Sequence, residues 1–192
     1  MNSIAEIFNP DDLRTQPSNE GWWAVKQALE ACREERRPYW ICTPRFVGHD
    51  RLPISTILLP VSRLEEEQYK AELATYIARQ TGAKILLLCA NDYGRRARQN
   101  VGKMVTRIKH ISETVTPLSY EVVEGRCDSD HIMHEAANRA AELKADLMLL
   151  TASREYGLDD ILFGPAELGA IRRSPVPCLL VNPRDDLFSL CD

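Results

Sequence analysis

The chain has 192 residues, of which 44% are hydrophobic and 27% charged, and its formal net charge at pH 7 is -4. This composition is typical of a folded globular domain with an appendage and argues against intrinsic disorder. No apolar run approaches the roughly 20 residues of a membrane-spanning helix, and the first residues do not resemble a signal peptide. We therefore expect a cytoplasmic protein that binds no membrane. The negative charge also disfavours non-specific binding of nucleic acid.

From residue 54 onward, short apolar runs alternate with amphipathic stretches, which is the pattern of strand–helix units around a parallel sheet. The first unit predicts a strand over 54–61 and a helix over 64–80, with Tyr69, Leu73, Tyr76 and Ile77 on its apolar face. Gly82 should end this helix, because glycine readily adopts the left-handed conformation found there. The remaining units predict strands at 83–90, 120–124, 146–151 and 178–182 and helices at 95–112, around 132–143 and at 166–173.

Five strands joined by helical crossovers predict an α/β fold with a doubly wound five-stranded parallel sheet and helices on both faces. Counted from residue 54, the expected strand order is 3-2-1-4-5. Such a sheet has a crevice where the strand order reverses, here between the ends of the first and fourth strands. The sequence places Pro60, Val61, Ser62 and residues 151–154 there.

Five short segments occur in the order and spacing of a known family: ILLPV at 57–61, GA at 82–83, VVEG at 122–125, ADL at 145–147 and PVPCLLV at 175–181. Through them, residues 54–183 resemble the universal stress protein family. The resemblance implies a five-stranded parallel sheet and frequent dimerisation through the last strand. In one branch of the family it also implies ATP bound at the crevice.

The ATP-binding branch carries the loop Gly-x-x-Gly, nine residues, Gly-Ser/Thr after strand four, in which bare glycines let backbone N–H groups surround phosphate. Aligned on Gly164, the other three loop positions hold Thr151, Arg154 and Pro165. The family's adenine-contacting aspartate falls on Ser62. We therefore expect a degraded ATP loop and no cofactor.

The alternative is that ATP or AMP binds through different contacts, with the Arg154 guanidinium replacing the lost loop amides. Arg154 is otherwise an ordinary surface residue. The candidate residues of the crevice are, in full, Pro60, Val61, Ser62, Val123, Gly125, Thr151, Ser153, Arg154 and Gly164. No catalytic residue and no metal ligand are predicted.

The N-terminal segment divides into residues 1–21, expected to be extended or poorly ordered, and a helix–strand arm at 22–45. The domain itself spans 54–184, and 185–192 form a tail. In the arm, Pro38 and Pro44 enclose an apolar strand, as Pro177 and Pro183 do at the end of the domain. This match suggests a partial internal repeat.

We expect the strand at 39–43 to pair with the edge strand at 178–182 within one chain. The resemblance otherwise implies a homodimer that uses the same edge strand. The alternative is an ordinary helical arm with coincidental prolines.

Two further clusters are weighed against ordinary structural roles. His131 and His134 have the spacing of metal ligands on a helix, but the apolar face there belongs to other residues, which favours solvated or capping histidines. Asp128 and Ser129 are the capping candidates of the same helix. The basic stretch 95–109 could attract phosphate or an acidic partner, but without interleaved aromatic residues a solvated helix face is favoured.

These features predict a non-enzymatic stress-response or regulatory protein that acts through self-association and an unidentified protein partner. No nucleophile elbow and no Walker loop is present. The alternative is an adenine-nucleotide sensor or a slow ATP hydrolase.

Overall fold

The computed structural model describes residues 13–15, 40–42, 53–64, 66–114, 117–152 and 166–181. Its strands are β1 (Leu13–Thr15), β2 (Trp40–Cys42), β3 (Thr56–Val61), β4 (Lys84–Cys89), β5 (Tyr120–Glu124), β6 (Leu147–Thr151) and β7 (Cys178–Val181). Its helices are α1 (Glu67–Thr81), α2 (Arg95–Glu113), α3 (Ile132–Arg139) and α4 (Ala166–Arg173). Among the described residues, no helix is long and apolar enough to cross a membrane.

Strands β3 to β7 form a five-stranded sheet in the order β5-β4-β3-β6-β7, and every pair is parallel. Counted within the domain, this is the predicted order 3-2-1-4-5. Helix α1 packs against α2, and α3 packs against α4. The predicted doubly wound α/β fold is confirmed.

The core lies along the central strands because helices cover both faces of the sheet. Strands β3 and β4 are buried from their second residue to their last, and β6 is buried throughout. On α2, Val101, Met104 and Ile108 are buried, as their spacing predicts.

Helix α1 buries a wider face than its sequence pattern indicates. The predicted residues Tyr69, Leu73 and Ile77 are buried, but Tyr76 is 40% exposed, so its assignment to the core was wrong. Alanines at 71, 74 and 78 are fully buried instead, because small side chains allow the helix to approach its neighbours closely. The helix ends at Gly82, whose φ of 75° is left-handed and whose N–H donates to the carbonyl of Ala78.

The two strands on either side of the reversal point diverge. The ladder between β3 and β6 contains only the pairs Ile57↔Leu147 and Leu58↔Met148. At the amino end, the Asp146 carboxylate accepts hydrogen bonds from the backbone N–H groups of Ser55 at 2.8 Å and Thr56 at 2.9 Å. Residues 59–61 and 149–151 have no ladder between them, so the crevice opens at the carboxyl end.

The N-terminal strands form a separate two-stranded parallel sheet, with Leu13 opposite Trp40 and Thr15 opposite Cys42. The predicted strand at 39–43 is therefore present, but its hydrogen-bonded partner is β1 and not β7. Strand β2 nevertheless lies directly alongside β7. The predicted helix before β2 and the C-terminal tail lie outside the described residues.

Candidate functional site

The end of β3 and the start of α1 share a buried polar network. The Ser62 hydroxyl donates to Glu67 Oε1 at 2.5 Å and accepts the backbone N–H of Leu64 at 3.2 Å. The Lys70 ammonium forms an ion pair with Glu67 and donates to the carbonyl oxygen of Pro60. Ser62, Glu67 and Lys70 are each no more than 2% exposed. We call these three side chains the buried network.

The charged form of Lys70 is disfavoured by its place in the buried network, because a buried ammonium has lost its hydration. Burial lowers the pKa of Lys70, while the Glu67 carboxylate opposes this effect by attraction and by hydrogen bonding. A charge is tolerated in such a place only when it is paired and hydrogen-bonded. Lys70 meets this condition with one carboxylate and one carbonyl.

The opposite wall of the crevice is the end of β6. Thr151 is 5% exposed, and its Oγ1 has no hydrogen-bond partner within the described part of the chain. Its neighbour Ala152 uses its backbone N–H to reach the carbonyl of Val181 at 2.9 Å. A buried hydroxyl without a partner is uncommon, since it has lost water without replacing it.

Arg63, directly after Ser62, belongs to a second network that we call the loop clasp. Its Nη1 lies 3.2 Å from Asp92 Oδ1, and its Nη2 lies 2.8 Å from Asp130 Oδ1. The Arg63 backbone N–H donates to Ser129 Oγ at 2.9 Å. Ser129 in turn donates to Asp92 from its backbone N–H at 2.9 Å and from its hydroxyl at 2.5 Å. The loop clasp thus joins the loops that follow β3, β4 and β5.

Val123 and Gly125 do not lie with the other predicted crevice residues. They belong to the end of β5, which β4 separates from β3. The Gly125 N–H donates to the carbonyl of Cys89 at 2.7 Å, and a Cβ at residue 125 would lie 2.8 Å from that oxygen. The close approach of two chain segments therefore explains why residue 125 is glycine. The predicted crevice residues are thus divided between the ends of β3 and β6 and the end of β5.

Ser153, Arg154 and Gly164 lie outside the described residues. The predicted phosphate loop therefore stays a prediction. Sequence reasoning also missed Glu67, Lys70, Asp92 and Asp130. A signal existed for Lys70, because it lies one residue before the buried Ala71 and four before Ala74, on the inner face of α1.

The two histidines are bound to separate partners. His131 Nδ1 lies 2.7 Å from Asp128 Oδ1, and His134 Nδ1 lies 2.9 Å from Arg173 Nη1. No group of His, Cys, Asp and Glu in the described ranges could hold a metal ion.

His131, and not Asp128 or Ser129, occupies the N-cap of α3, and it makes no side-chain cap bond. Ser129 belongs to the loop clasp, whereas Asp128 hydrogen-bonds the backbone of Asp130 and His131 in the turn before the helix. On α2, Arg95, Arg96, Arg98, Lys103 and Arg107 are all exposed, which is compatible with a solvated helix face.

Comparison with known proteins identifies the relatives of this fold. The model of the Universal stress protein family matches residues 53–182. No curated protein matches the chain significantly.

Among solved structures, a universal stress protein in complex with cAMP is 19% identical, with a TM-score of 0.53, and the match covers 69% of this chain and 100% of that chain. A universal stress protein from Archaeoglobus fulgidus DSM 4304 is 16% identical, with a TM-score of 0.54, over 91% of this chain and 62% of that one.

Proposed function

Since the chain belongs to the universal stress protein family, we propose that it is a non-enzymatic stress-response or regulatory protein that acts through self-association and partner binding. The observation that supports the non-enzymatic, non-nucleotide part of this proposal is the buried network. At the end of β3, the polar groups beside the crevice are bound to each other. They are also almost completely removed from solvent.

The energy of this network bears on nucleotide binding. A ligand that separated Lys70 from Glu67 would leave a buried charge unpaired, at a cost of about 3–5 kcal/mol. A dissociation constant of about 100 μM corresponds to roughly 5–6 kcal/mol of binding free energy. Opening the network would therefore use most of the affinity of an ordinary nucleotide site.

The loop clasp supports the same conclusion. Arg63 is the described cation closest in sequence to Ser62, and its guanidinium already binds Asp92 and Asp130. It is therefore neutralised by two carboxylates rather than directed to a phosphate. A catalytic role would require an acid, base or nucleophile free to reach substrate, and Ser62, Glu67 and Lys70 are bound internally.

Calorimetric titration of the full chain with ATP, ADP, AMP and cAMP, each with and without magnesium, tests the proposal. We expect no binding tighter than about 100 μM. A tighter constant for any of these ligands would overturn the non-nucleotide role. Incubation with ATP under the same conditions should release no phosphate above the buffer control.

The second candidate function is an adenine-nucleotide sensor or slow ATP hydrolase. One observation favours it: Thr151 Oγ1 lies buried at the crevice with no hydrogen-bond partner among the described residues, so it could exchange a hydrogen bond with a ligand. A structural neighbour also carries cAMP, although at 19% identity this shows a shared fold and not a shared ligand.

If a nucleotide binds, Thr151→Val and Arg154→Ala should each weaken it, because the first removes a hydroxyl with little change of shape and the second removes a cation. The matched controls are Thr106→Val and Arg98→Ala on the exposed face of α2, which should leave the affinity unchanged. Unchanged affinity in both crevice variants would remove these residues from the site.

A further inference from the structure

The two edges of the five-stranded sheet differ in exposure. At one edge, every residue of β7 is at most 1% exposed. At the other edge, β5 contains three exposed residues, one of which, Val122, is 44% exposed. An edge strand normally presents one row of backbone groups to solvent. Strand β7 does not, so a further part of the chain must cover its outer side.

The described strand that can cover this side is β2. Strand β7 pairs with β6, and β2 is the further strand among the described residues that packs against it. The Met148 N–H donates to the carbonyl of Pro177, and the Ala152 N–H donates to that of Val181. Backbone groups alternate in direction along a strand, so those of residues 178 and 180 point away from β6. They are therefore the backbone groups left to face β2, which packs against β7 without sharing a ladder with it.

The arm that contains β2 has the same plan as the end of the domain. Strands β1 and β2 are parallel and are joined by residues 16–39, while β6 and β7 are parallel and are joined by residues 152–177. In both units the second strand lies between two prolines spaced six residues apart. Parallel strands need such a crossover, so β1 and β2 form a strand–crossover–strand unit and not a hairpin.

The structural comparisons agree with a second unit of this kind. Residues 53–182, which match the family, make up roughly two thirds of the chain. The match to the longer Archaeoglobus fulgidus protein covers 91% of the chain and therefore extends into the N-terminal segment.

We propose that β1 and β2 are what remains of a second copy of the domain's last pair of parallel strands, and that β2 occupies the β7 edge as a partner built into the same chain. This edge is then closed internally and is not available to another copy of the protein. The proposal refines the self-association proposed above, on which it partly rests, because it removes β7 from the surfaces open to a second subunit. The open β5 edge remains.

Hydrogen exchange of the full chain, read by mass spectrometry, tests whether β2 covers β7. The variant Ile41→Pro should disrupt β2, because proline cannot donate its backbone nitrogen and is poorly tolerated within a strand. We expect exchange in the 178–181 peptide to accelerate by roughly tenfold or more, as expected for local loss of protection. Exchange at β4, residues 84–89, should not change. Ile41→Val is the matched control and should behave as the unchanged chain.

Light scattering after size exclusion supplies the second readout. The unchanged chain should not dimerise through β7, whereas Ile41→Pro should self-associate with rising concentration because its edge is open. Unchanged exchange at 178–181 in Ile41→Pro would overturn the proposal. A wild-type dimer whose 178–181 exchange accelerates on dilution would also overturn it.

If Ile41→Pro unfolds the whole domain, exchange at 84–89 will rise as well. A protease site inserted between residues 46 and 52 then provides the test, since cleavage follows folding. The N-terminal fragment should remain bound to the domain, and its release with unchanged exchange at 178–181 would refute the covering role. None of these readouts depends on nucleotide binding, so a failure here is distinguishable from a positive calorimetric result.

Discussion

The buried network and the loop clasp begin at adjacent residues, Ser62 and Arg63, yet the first is buried throughout, whereas the second extends from the buried Asp92 to the exposed Asp130. Lys70 and Glu67 are almost fully buried, whereas Arg63 and Asp130 have side chains that are 38% and 66% exposed. Water screens the second pair and leaves it adjustable, while the first pair depends on fixed geometry. We therefore expect contacts at the floor of the crevice to be worth more to stability than contacts in the loops around it.

The largest effect is expected from breaking the buried ion pair. Lys70→Met keeps a side chain of similar length but leaves the Glu67 carboxylate buried without its cation. We expect the free energy of unfolding to fall by about 3–5 kcal/mol, which is a large part of an ordinary domain's stability. Urea denaturation followed by circular dichroism measures it.

The double variant Glu67→Gln with Lys70→Met is the control, because it removes both charges and keeps an amide oxygen for Ser62. It should recover most of the lost stability. If the single and double variants are equally unstable, the loss comes from packing and the ion pair is not responsible. If Lys70→Met does not fold but the double variant does, this also shows that the unpaired Glu67 carboxylate causes the loss of stability.

A smaller effect is expected from the loop clasp. Asp92 is 3% exposed and accepts hydrogen bonds from Ser129 and Arg63, so Asp92→Ala leaves donors unpaired. We expect a loss of about 1–3 kcal/mol in the free energy of unfolding. Asp130→Ala, which removes the exposed partner of the same arginine, should cost less than about 1 kcal/mol. Equal losses in the two variants would mean that burial does not determine how much these contacts contribute to the free energy of unfolding.

The contrast between the two networks was not predictable from the sequence, although the sheet around them was. The strands follow from local apolar runs, and right-handed crossovers reduce the possible sheets to a few, of which the predicted order 3-2-1-4-5 is one. Gly82 ends α1 as its conformational freedom predicts. The 120–124 strand and the 166–173 helix have the predicted boundaries.

The polar contacts depend on residues far apart in the chain. Arg63 contacts Ser129 and Asp130 only when three strands have assembled, and no periodic pattern of residues in the sequence predicts that contact. Val123 and Gly125 were predicted to line the crevice, but the strand order places the end of β5 beyond β4, away from the ends of β3 and β6. Lys70 was missed because a charged residue is normally assigned to solvent.

The smallest expected effect repeats the comparison between buried and exposed charges on the histidines beside α3. Hydrogen bonding to Asp128 raises the pKa of the exposed His131. Burial, followed by repulsion from Arg173 and His131, lowers the pKa of His134. The His134 ring lies against Gly169, where an added Cβ would be 2.6 Å from its Cε1. Protonation therefore favours the folded state at His131 and disfavours it at His134.

The two shifts have opposite consequences for stability. The contribution of His131 is complete below the ordinary pKa of 6.5 and is lost as the pH rises through the raised value. The contribution of His134 is present above 6.5 and is lost as the pH falls through the lowered value.

His131→Gln should therefore destabilise the protein at about pH 5.5 and leave it unchanged at about pH 8. His134→Gln should raise the urea midpoint at about pH 5.5 relative to that at about pH 8, the opposite of the change expected for His131→Gln, since glutamine can still accept from Arg173 but does not become protonated. If both variants shift the midpoint in the same direction at both pH values, the effect is packing, and the opposite surroundings of the two rings do not control their titration.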